Sequence, residues 1–596
     1  MSTFQKLKEL LSAKERKHAV LLLCMITLMA LIDVVGVASI MPFIAVLANP
    51  EIVETNPYLR QAYRYLGFQS TQTFMLALGV MVFMLLVFSL AFKALTTYAQ
   101  TRFSTLLEYS ISKRLTEGYL HQPYSWFLNR NSADLGSSVL SEVGTAVSKG
   151  LMPLISIIAQ SIVTIALLTL LLVVDPWLAL TVLVVLGLSY GLIFKLMSGW
   201  LKRLGQTRKL ANRERFTALS EAFGAVKEVK VGGLEAVYIR RFAKPAEVYA
   251  KTQATAQLIS NLPRFVLEAI SFGGMILVIL YLMTRNGGFG QALPIIVLYA
   301  FAGYRLMPAL QHLYSAFTQL RFAGPSLDAL HADLTTLNGS TVVSSQTDQP
   351  LALKQAIELN RVEYQYPNTD KSALQGLHLS IPANSTVAFV GSTGSGKTTT
   401  VDLILGLLEA SGGSLKVDGV EVNTQNRRQW QKSIGYVPQQ IYLSDDSIAA
   451  NIAFGVNPKD IDHAAVERAA TIANLQTFIV GDLPHGYQTA VGERGVRLSG
   501  GQRQRIGIAR ALYHRPSVLI LDEATSALDN LTEQAVMDAV HRLSHEITII
   551  LIAHRLSTVR KCDQIFLLEK GELLAQGTFD ELVAKNDKFR DMATNH

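Results

Sequence analysis

Ser385-Thr386-Val387-Ala388-Phe389-Val390 is a short apolar strand that runs directly into Gly391-Ser392-Thr393-Gly394-Ser395-Gly396-Lys397-Thr398, with Thr399 opening a helix-compatible stretch to 408. A triphosphate needs many hydrogen-bond donors and little steric bulk. Glycines let backbone N–H groups curl around the phosphates at a helix N-terminus, Lys397 reaches the outer phosphates, and Thr398 holds Mg2+. The run from Gly391 through Thr399 is therefore a candidate ATP-binding surface. Downstream, a second apolar strand, 518–521, ends in Asp522-Glu523. Buried parallel strands present their C-terminal ends to the ligand crevice. There Asp522 can bind Mg2+ and Glu523 can orient and polarise an attacking water. Taken alone, such a pair is equally a solvated turn or a helix cap.

These motifs occupy only the second half of the chain. Of 596 residues, 49% are hydrophobic and 17% charged, with a mean hydropathy of +0.28, and the apolar excess lies in the first half. A bilayer core takes about 20 apolar residues per helix. Six stretches qualify: 19–48, 73–100, 150–174, 177–197, 258–284 and 290–313. Five Lys and Arg precede the first, five lie in 102–149 and twelve in 202–251, whereas the alternate loops carry only Arg60, Arg64 and Arg285. The positive-inside rule puts both termini and both long loops in the cytosol. The net charge of +8 then follows topology, and nucleic acid is not the expected partner. Cys24 and Cys562 are the two cysteines, which excludes a disulfide framework and leaves a zinc site without ligands.

The long loops carry apolar residues at helical spacing, notably in 200–222 and in 236–256 with Pro245 inside, and read as helices projecting into the cytosol. The stretch 52–66 reads either as a short amphipathic helix on the outer surface or as a polar loop. The expected organisation is a transmembrane domain over 1–321, a linker over 322–353 and a nucleotide-binding domain over 354–596.

Between the two ATPase motifs stands Leu498-Ser499-Gly500-Gly501-Gln502. It resembles the signature sequence of ATP-binding cassettes. The resemblance implies an all-α, six-helix membrane domain of the type IV exporter kind joined to an α/β phosphate-loop ATPase domain. It also implies that Ser499, Gly500, Gly501 and Gln502 face the nucleotide of a second copy, so the chain would act as a homodimer with ATP and Mg2+. Further positions match in order. Tyr366 is placed like the family's adenine-stacking aromatic, with a core aromatic as the alternative; Gln439 like the glutamine that meets Mg2+ and the attacking water. The run 526–529 is similar to the loop through which the two ATP sites communicate, and His554 to the switch histidine at the terminal phosphate. With Lys397 and Glu523, Gln439 and His554 complete the expected catalytic set. The segment 489–495 is similar to one typical of exporters, which implies outward transport from a bacterial inner membrane with the ATPase domain cytosolic.

Ionisable residues inside apolar runs are costly unless they face a cavity or a partner. They are Asp33, Lys93, Arg264, Glu268 and Arg305. Topology puts Lys93, Arg264 and Arg305 in the inner half of the membrane, where snorkelling to headgroups is the plain alternative. The segments 92–95, 262–268, 304–308 and 223–230 resemble the bacterial flippase for lipid-linked oligosaccharide used in protein N-glycosylation. That resemblance implies that Lys93, Arg264 and Arg305 handle the pyrophosphate of a polyisoprenoid-linked glycan. Lys93 stands where an arginine is expected, which keeps the charge and loses the bidentate fork. The competing expectations are an exporter of drugs, lipids or peptides, and an ATP-gated channel or receptor.

Overall fold

The computed structural model describes residues 3–174, 176–285, 289–338, 349–367, 369–523, 534, 536–539, 543, 546–553 and 556–594, and the side chains of 281–305 lie outside that description. The chain divides into two compact units, Met1–Gln122 with Arg130–Thr341, and Pro123–Asn129 with Val342–His596.

The first unit is helical. Its long elements are α1 (Ala13–Ala38), α2 (Thr71–Leu120), α3 (Met152–Val174), α4 (Pro176–Gly224), α5 (Glu235–Arg285) and α6 (Phe289–Asn338). At about 1.5 Å per residue a helix such as α2, with 50 residues, is more than twice as long as a hydrocarbon core about 30 Å thick. The excess length is cytosolic, and the two long basic loops are accordingly helix for most of their extent. α5 stays helical through Pro245 and Pro263. Among the described residues, Ala13–Gly36, Thr71–Leu120 and Ser132–Val173 are long and apolar enough to cross a membrane. On the outer side, Ile52–Thr55 and Pro57–Tyr65 form two short helices; Asn56 caps the second by accepting the N–H groups of Tyr58 and Leu59.

Two π-helical turns, Ser138–Glu142 and Val147–Leu151, lead into α3. The first ends at a buried polar network. The Arg208 guanidinium of α4 donates to Glu142 Oε2 at 2.6 Å and to Ser326 Oγ of α6 at 2.6 Å, while Asn212 Nδ2 donates to Glu142 Oε1 at 2.9 Å. Arg208 and Asn212 are fully buried. Breaking one partner of such a pair leaves an uncompensated charge in a dry site, so the network ties three elements into one arrangement.

The stretch 322–338, expected as the start of a linker, is the last part of α6. Ala323, Leu327, Leu330, Leu334 and Leu337 recur at helical spacing and are all buried. The polar run that follows, 339–348, lies outside the described residues.

The second unit has two sheets. β1 (Ala356–Gln365), β2 (Ser372–Pro382), β4 (Gly412–Val417) and β5 (Val420–Glu421) make an antiparallel sheet in the order β2-β1-β4-β5. β3 (Thr386–Val390), β6 (Ile434–Val437), β7 (Val518–Asp522), β8 (Thr548–Ile552), β9 (Gln564–Glu569) and β10 (Glu572–Gly577) form the second, ordered β10-β9-β3-β8-β7-β6. It is parallel except for β10. Every residue of β3, β7 and β8 is buried. That two-sided burial is why their sequences are unbroken apolar runs and not alternating ones.

Two apolar clusters flank the sheet. α7 (Lys397–Ile404) contributes Val401, Leu403 and Ile404 to one, together with Phe389, Trp430 and Phe566. α8 (Gly500–Leu512) contributes Ile506, Ile508 and Ala509 to the other. The helix behind the phosphate loop and the helix behind the signature thus belong to different cores of one unit.

Candidate functional site

The register of the parallel sheet assembles the site. Phe389 of β3 lies opposite Ile552 of β8, and Ile552 opposite Asp522 of β7. The residues just beyond these strands, Gly391, Ala553 and Glu523, therefore emerge side by side at one edge, the carboxyl-end crevice where ligands bind in open parallel sheets.

Gly391 and Gly396 are glycine for steric reasons. With φ of +155° and +104° they hold backbone that L side chains avoid. A Cβ on Gly391 would run into the Leu568 carbonyl oxygen, and one on Gly396 would stand 2.8 Å from Leu374 Cδ2. Between them Ser395 donates its N–H to Ser392 O at 3.1 Å, and its hydroxyl is buried with no partner. An orphaned buried hydroxyl is costly, and here it lines a loop whose curvature suits a polyphosphate. Lys397, at 6% exposure, donates to Gly391 O at 2.7 Å and Ser392 O at 3.0 Å. Burial lowers its ammonium below the usual lysine range, against the opposing pull of Glu523 and Asp522.

The acids divide by setting. Asp522 is buried and accepts from Tyr436 Oη at 3.4 Å. Glu523 has φ of +50°, a left-handed conformation that is unusual for a glutamate and turns the chain sharply out of β7. Gln439 Nε2, beyond β6, donates to Glu523 Oε2 at 2.7 Å. Thr398, Asp522 and Gln439 bring hydroxyl, carboxylate and amide oxygens, the hard donors that Mg2+ prefers. The donor set therefore fits that ion. The Tyr366 hydroxyl is 3.1 Å from Thr399 Oγ1, and its ring meets Tyr364 edge-on at 5.0 Å. Of the two, Tyr364 is the buried core residue and Tyr366 is only partly covered.

Ser499 opens α8 in a capping box: its hydroxyl accepts Gln502 N–H while Gln502 Oε1 accepts Ser499 N–H. The Gly500 and Gly501 N–H groups stand at the helix N-terminus, where the macrodipole favours an anion. His554 and the run 526–529 lie outside the described residues.

Two residues escaped the reading of the sequence. Tyr436 holds Asp522, and Asp402 lies on α7 beneath the loop, its carboxyl pushed up to about 6 by burial and then by Asp522. An acid inside the apolar run Val401-Asp402-Leu403-Ile404 was the available signal.

In the membrane unit the ionisable residues meet different fates. Ser89 Oγ donates to buried Asp33 Oδ1. Arg264 Nε donates to Glu268 Oε1 at 2.7 Å, one helical turn along α5, so that cation is neutralised by its own helix. Lys93 borders a cavity between helices. The Arg305 side chain lies outside the described residues.

A phosphate-loop crevice fused to a bundle of membrane-length helices defines an ATP-hydrolysing translocation machine, a multi-pass membrane protein with a cytosolic ATPase domain. The chain belongs to the ABC transporter family. The family model described as "ABC transporter" matches residues 374–526, and that described as "ABC transporter transmembrane region" matches 19–307. The chain is 32% identical over 489 residues, 79% of each protein, to the ATP-dependent lipid A-core flippase of Cupriavidus pinatubonensis. It is 32% identical over 444 residues, 74% of this chain and 69% of the other, to ABC transporter B family member 29, chloroplastic, of Arabidopsis thaliana. A bacterial Atm1-family ABC exporter with ATP bound superposes with a TM-score of 0.78 over 97% of this chain and 98% of that one, at 23% identity. The type IV exporter fold expected from sequence is thereby established. The comparisons reach an ABC exporter similar to lipid flippases and do not single out the oligosaccharide branch.

Proposed function

We propose that two copies of this chain form an exporter that uses ATP to turn an amphipathic lipid from the inner to the outer leaflet. The observation that carries the reading is the match across both halves at once to proteins called lipid A-core flippases, over 79% of each chain. An ATPase core alone is common to every cargo class; a shared membrane half narrows the cargo.

In the ATPase unit, Lys397 and the Gly391–Thr399 backbone hold the phosphates, and Tyr366 stacks on the adenine. Thr398, Asp522 and Gln439 hold Mg2+, which supplies charge neutralisation at the terminal phosphate. Glu523, oriented by Gln439, positions and polarises the attacking water, with His554 at the terminal phosphate. Ser499 to Gln502 present their donors to the nucleotide of the second copy. The separate cores of α7 and α8 support this, since each can close on a partner without unpacking the other. Closure of two such units opens the membrane domain outward, and hydrolysis resets it.

A narrower reading, a pyrophosphate-linked polyisoprenoid oligosaccharide as cargo, rests on the sequence resemblance around Lys93, Arg264 and Arg305. The Arg264–Glu268 pair weighs against a full belt of free cations. The test is reconstitution in liposomes with a labelled lipid-linked oligosaccharide, a labelled phospholipid and a lipophilic dye. ATP-dependent movement of either lipid is expected; movement of the dye alone overturns the lipid reading.

A further inference from the structure

Shortly past Gln439 the chain enters a segment, 442–451, that is folded around one buried amide. Asn451 is fully buried. Its Oδ1 accepts Ser444 N–H at 3.0 Å and the Ser444 hydroxyl at 3.2 Å, while its Nδ2 donates to Ser444 O at 3.0 Å and Ser447 O at 3.1 Å. An asparagine has two amide protons and one carbonyl oxygen to offer, and all are committed within the segment. The segment is therefore held as one piece.

That piece grips the signature element on both flanks. Ahead of the signature, Ser447 bridges Ala490, Val491 donates its N–H to Asp446 O at 3.0 Å, and Ile448 donates its own to Thr489 O at 3.1 Å. Behind it, near the C-terminal end of α8, Arg510 donates from Nε to Asn451 O at 2.8 Å, from Nη1 to Tyr442 O at 2.9 Å and from Nη2 to Asn451 Oδ1 at 3.3 Å. Its guanidinium also lies over the Phe454 ring, 4.5 Å from the centroid. No carboxylate pairs with Arg510 among the described residues. A rigid fork of donors spent on backbone and amide oxygens fixes position without cancelling charge. Ser499 to Gln502 lie between the two grips, with Arg510 about 15 Å along the helix from Gly500.

We propose that Arg510 is a positioning residue that couples the two ATP sites of the dimer, by tying the segment that follows Gln439 to the helix that presents the signature. The inference rests on the shared-site reading and adds to it the residue that links a chain's own nucleotide to its partner's. Gln439 meets Glu523 at the first nucleotide, and Ser499 to Gln502 meet the second. A shift of Gln439 when its own site fills is carried by 442–451 to both flanks of the signature. It is a second route, beside the one expected of the run 526–529. Misplacing such donors by about 1 Å costs on the order of a hundredfold, so a small rotation of α8 suffices. Arg510 stands at the far end of α8 from the signature. Its effect is therefore on the second site once the first is filled.

The test uses the full-length transporter in detergent and reads hydrolysis against ATP concentration together with the thermal midpoint. Two interacting sites allow a Hill coefficient between one and two. The native protein should lie well above one and Arg510→Met at about one. Arg510→Lys keeps a cation over Phe454 but loses the fork, and should fall between them. In a Glu523→Gln background, titration with Mg-ATP reads binding without turnover. There Arg510→Met should leave the first ATP per dimer bound as before and weaken the second about tenfold. A residue that merely staples the fold gives another pattern, a lower thermal midpoint and less active protein with the Hill coefficient and both affinities unchanged. That pattern overturns the proposal, as does equal weakening of both sites or a native Hill coefficient of one. If Arg510→Met does not fold, Arg510→Lys decides by the same readings. A Glu523→Gln parent that holds fewer than two ATP per dimer sinks the shared-site reading, and the proposal with it; two ATP held without coupling sink only the role of Arg510.

Discussion

The phosphate loop and the membrane cavity each place a lysine, and they treat its charge in opposite ways: Lys397 is buried and Lys93 is exposed. Lys397 donates to two loop carbonyls and feels Asp522 and Glu523 nearby. Lys93 borders a cavity whose described lining residues are amides, hydroxyls, His312 and apolar side chains, with no acid among them. The first site balances its charge from within, and the residues that do so recur in short, recognisable strings. The second is assembled from residues far apart in the chain. A site of that kind has no local string to betray it, because its members come from turns of separate helices.

The largest effect expected from breaking the first site is at Glu523. Glu523→Gln keeps the shape and the contact with Gln439 but removes the base, and phosphate release should fall by about a hundredfold or more while ATP binding persists. Undiminished hydrolysis would remove Glu523 from its role. Next comes a third way in which this protein handles a charge, the closed buried pair. Arg208→Met strands Glu142 and should destabilise the membrane unit by about 3–5 kcal/mol, seen as a lowered thermal midpoint in detergent; adding Glu142→Leu should recover most of it. A single variant as stable as the native protein would mean the network is not dry.

Asp402 allows a smaller test in the ATPase unit. Its folded value, about 6, lies above its ordinary 3.8, so the folded chain holds the proton more tightly between the two. Its contribution therefore favours folding below 3.8 and is lost as pH rises through about 6. Asp402→Asn should flatten that part of the profile of thermal midpoint against pH, and an unchanged slope would assign it to other groups. The smallest effect is expected at Arg264. Because Glu268 already neutralises it, Arg264→Met should alter transport of a phosphate-bearing lipid less than Lys93→Met does, measured as initial flipping rate in liposomes. The reverse order would mean that the Arg264–Glu268 pair opens during transport.

How much could be read in advance follows the same division. The phosphate loop, the acidic strand end and the signature were legible because each is a contiguous run whose spacing is dictated by phosphate geometry and by a strand-to-helix turn. The six long helices were legible because the bilayer demands length and hydrophobicity, and loop charge demands an orientation. The helix continues past the expected start of the linker at 322, because Ala323, Leu327, Leu330, Leu334 and Leu337 recur at heptad-like spacing and are buried. Tyr436 and Asp402 went unassigned because a tyrosine on a strand and an acid on a helix acquire meaning only when the sheet brings β6, β7 and α7 together.

By itself, then, the sequence determined the division into a membrane half and an ATPase half and the cytosolic placement of the ATPase domain, since short-range geometry and transfer free energy act on contiguous residues. Tertiary structure alone decided which charges cancel. Arg208 found Glu142 and Ser326 across 66 and 118 residues of chain, and Lys93 came to border a cavity between helices; the Arg264–Glu268 pair, one helical turn apart, is the exception that spacing alone allows. Coulomb interaction depends on distance in space and on the dielectric between the groups, and neither is written in the order of residues along the chain.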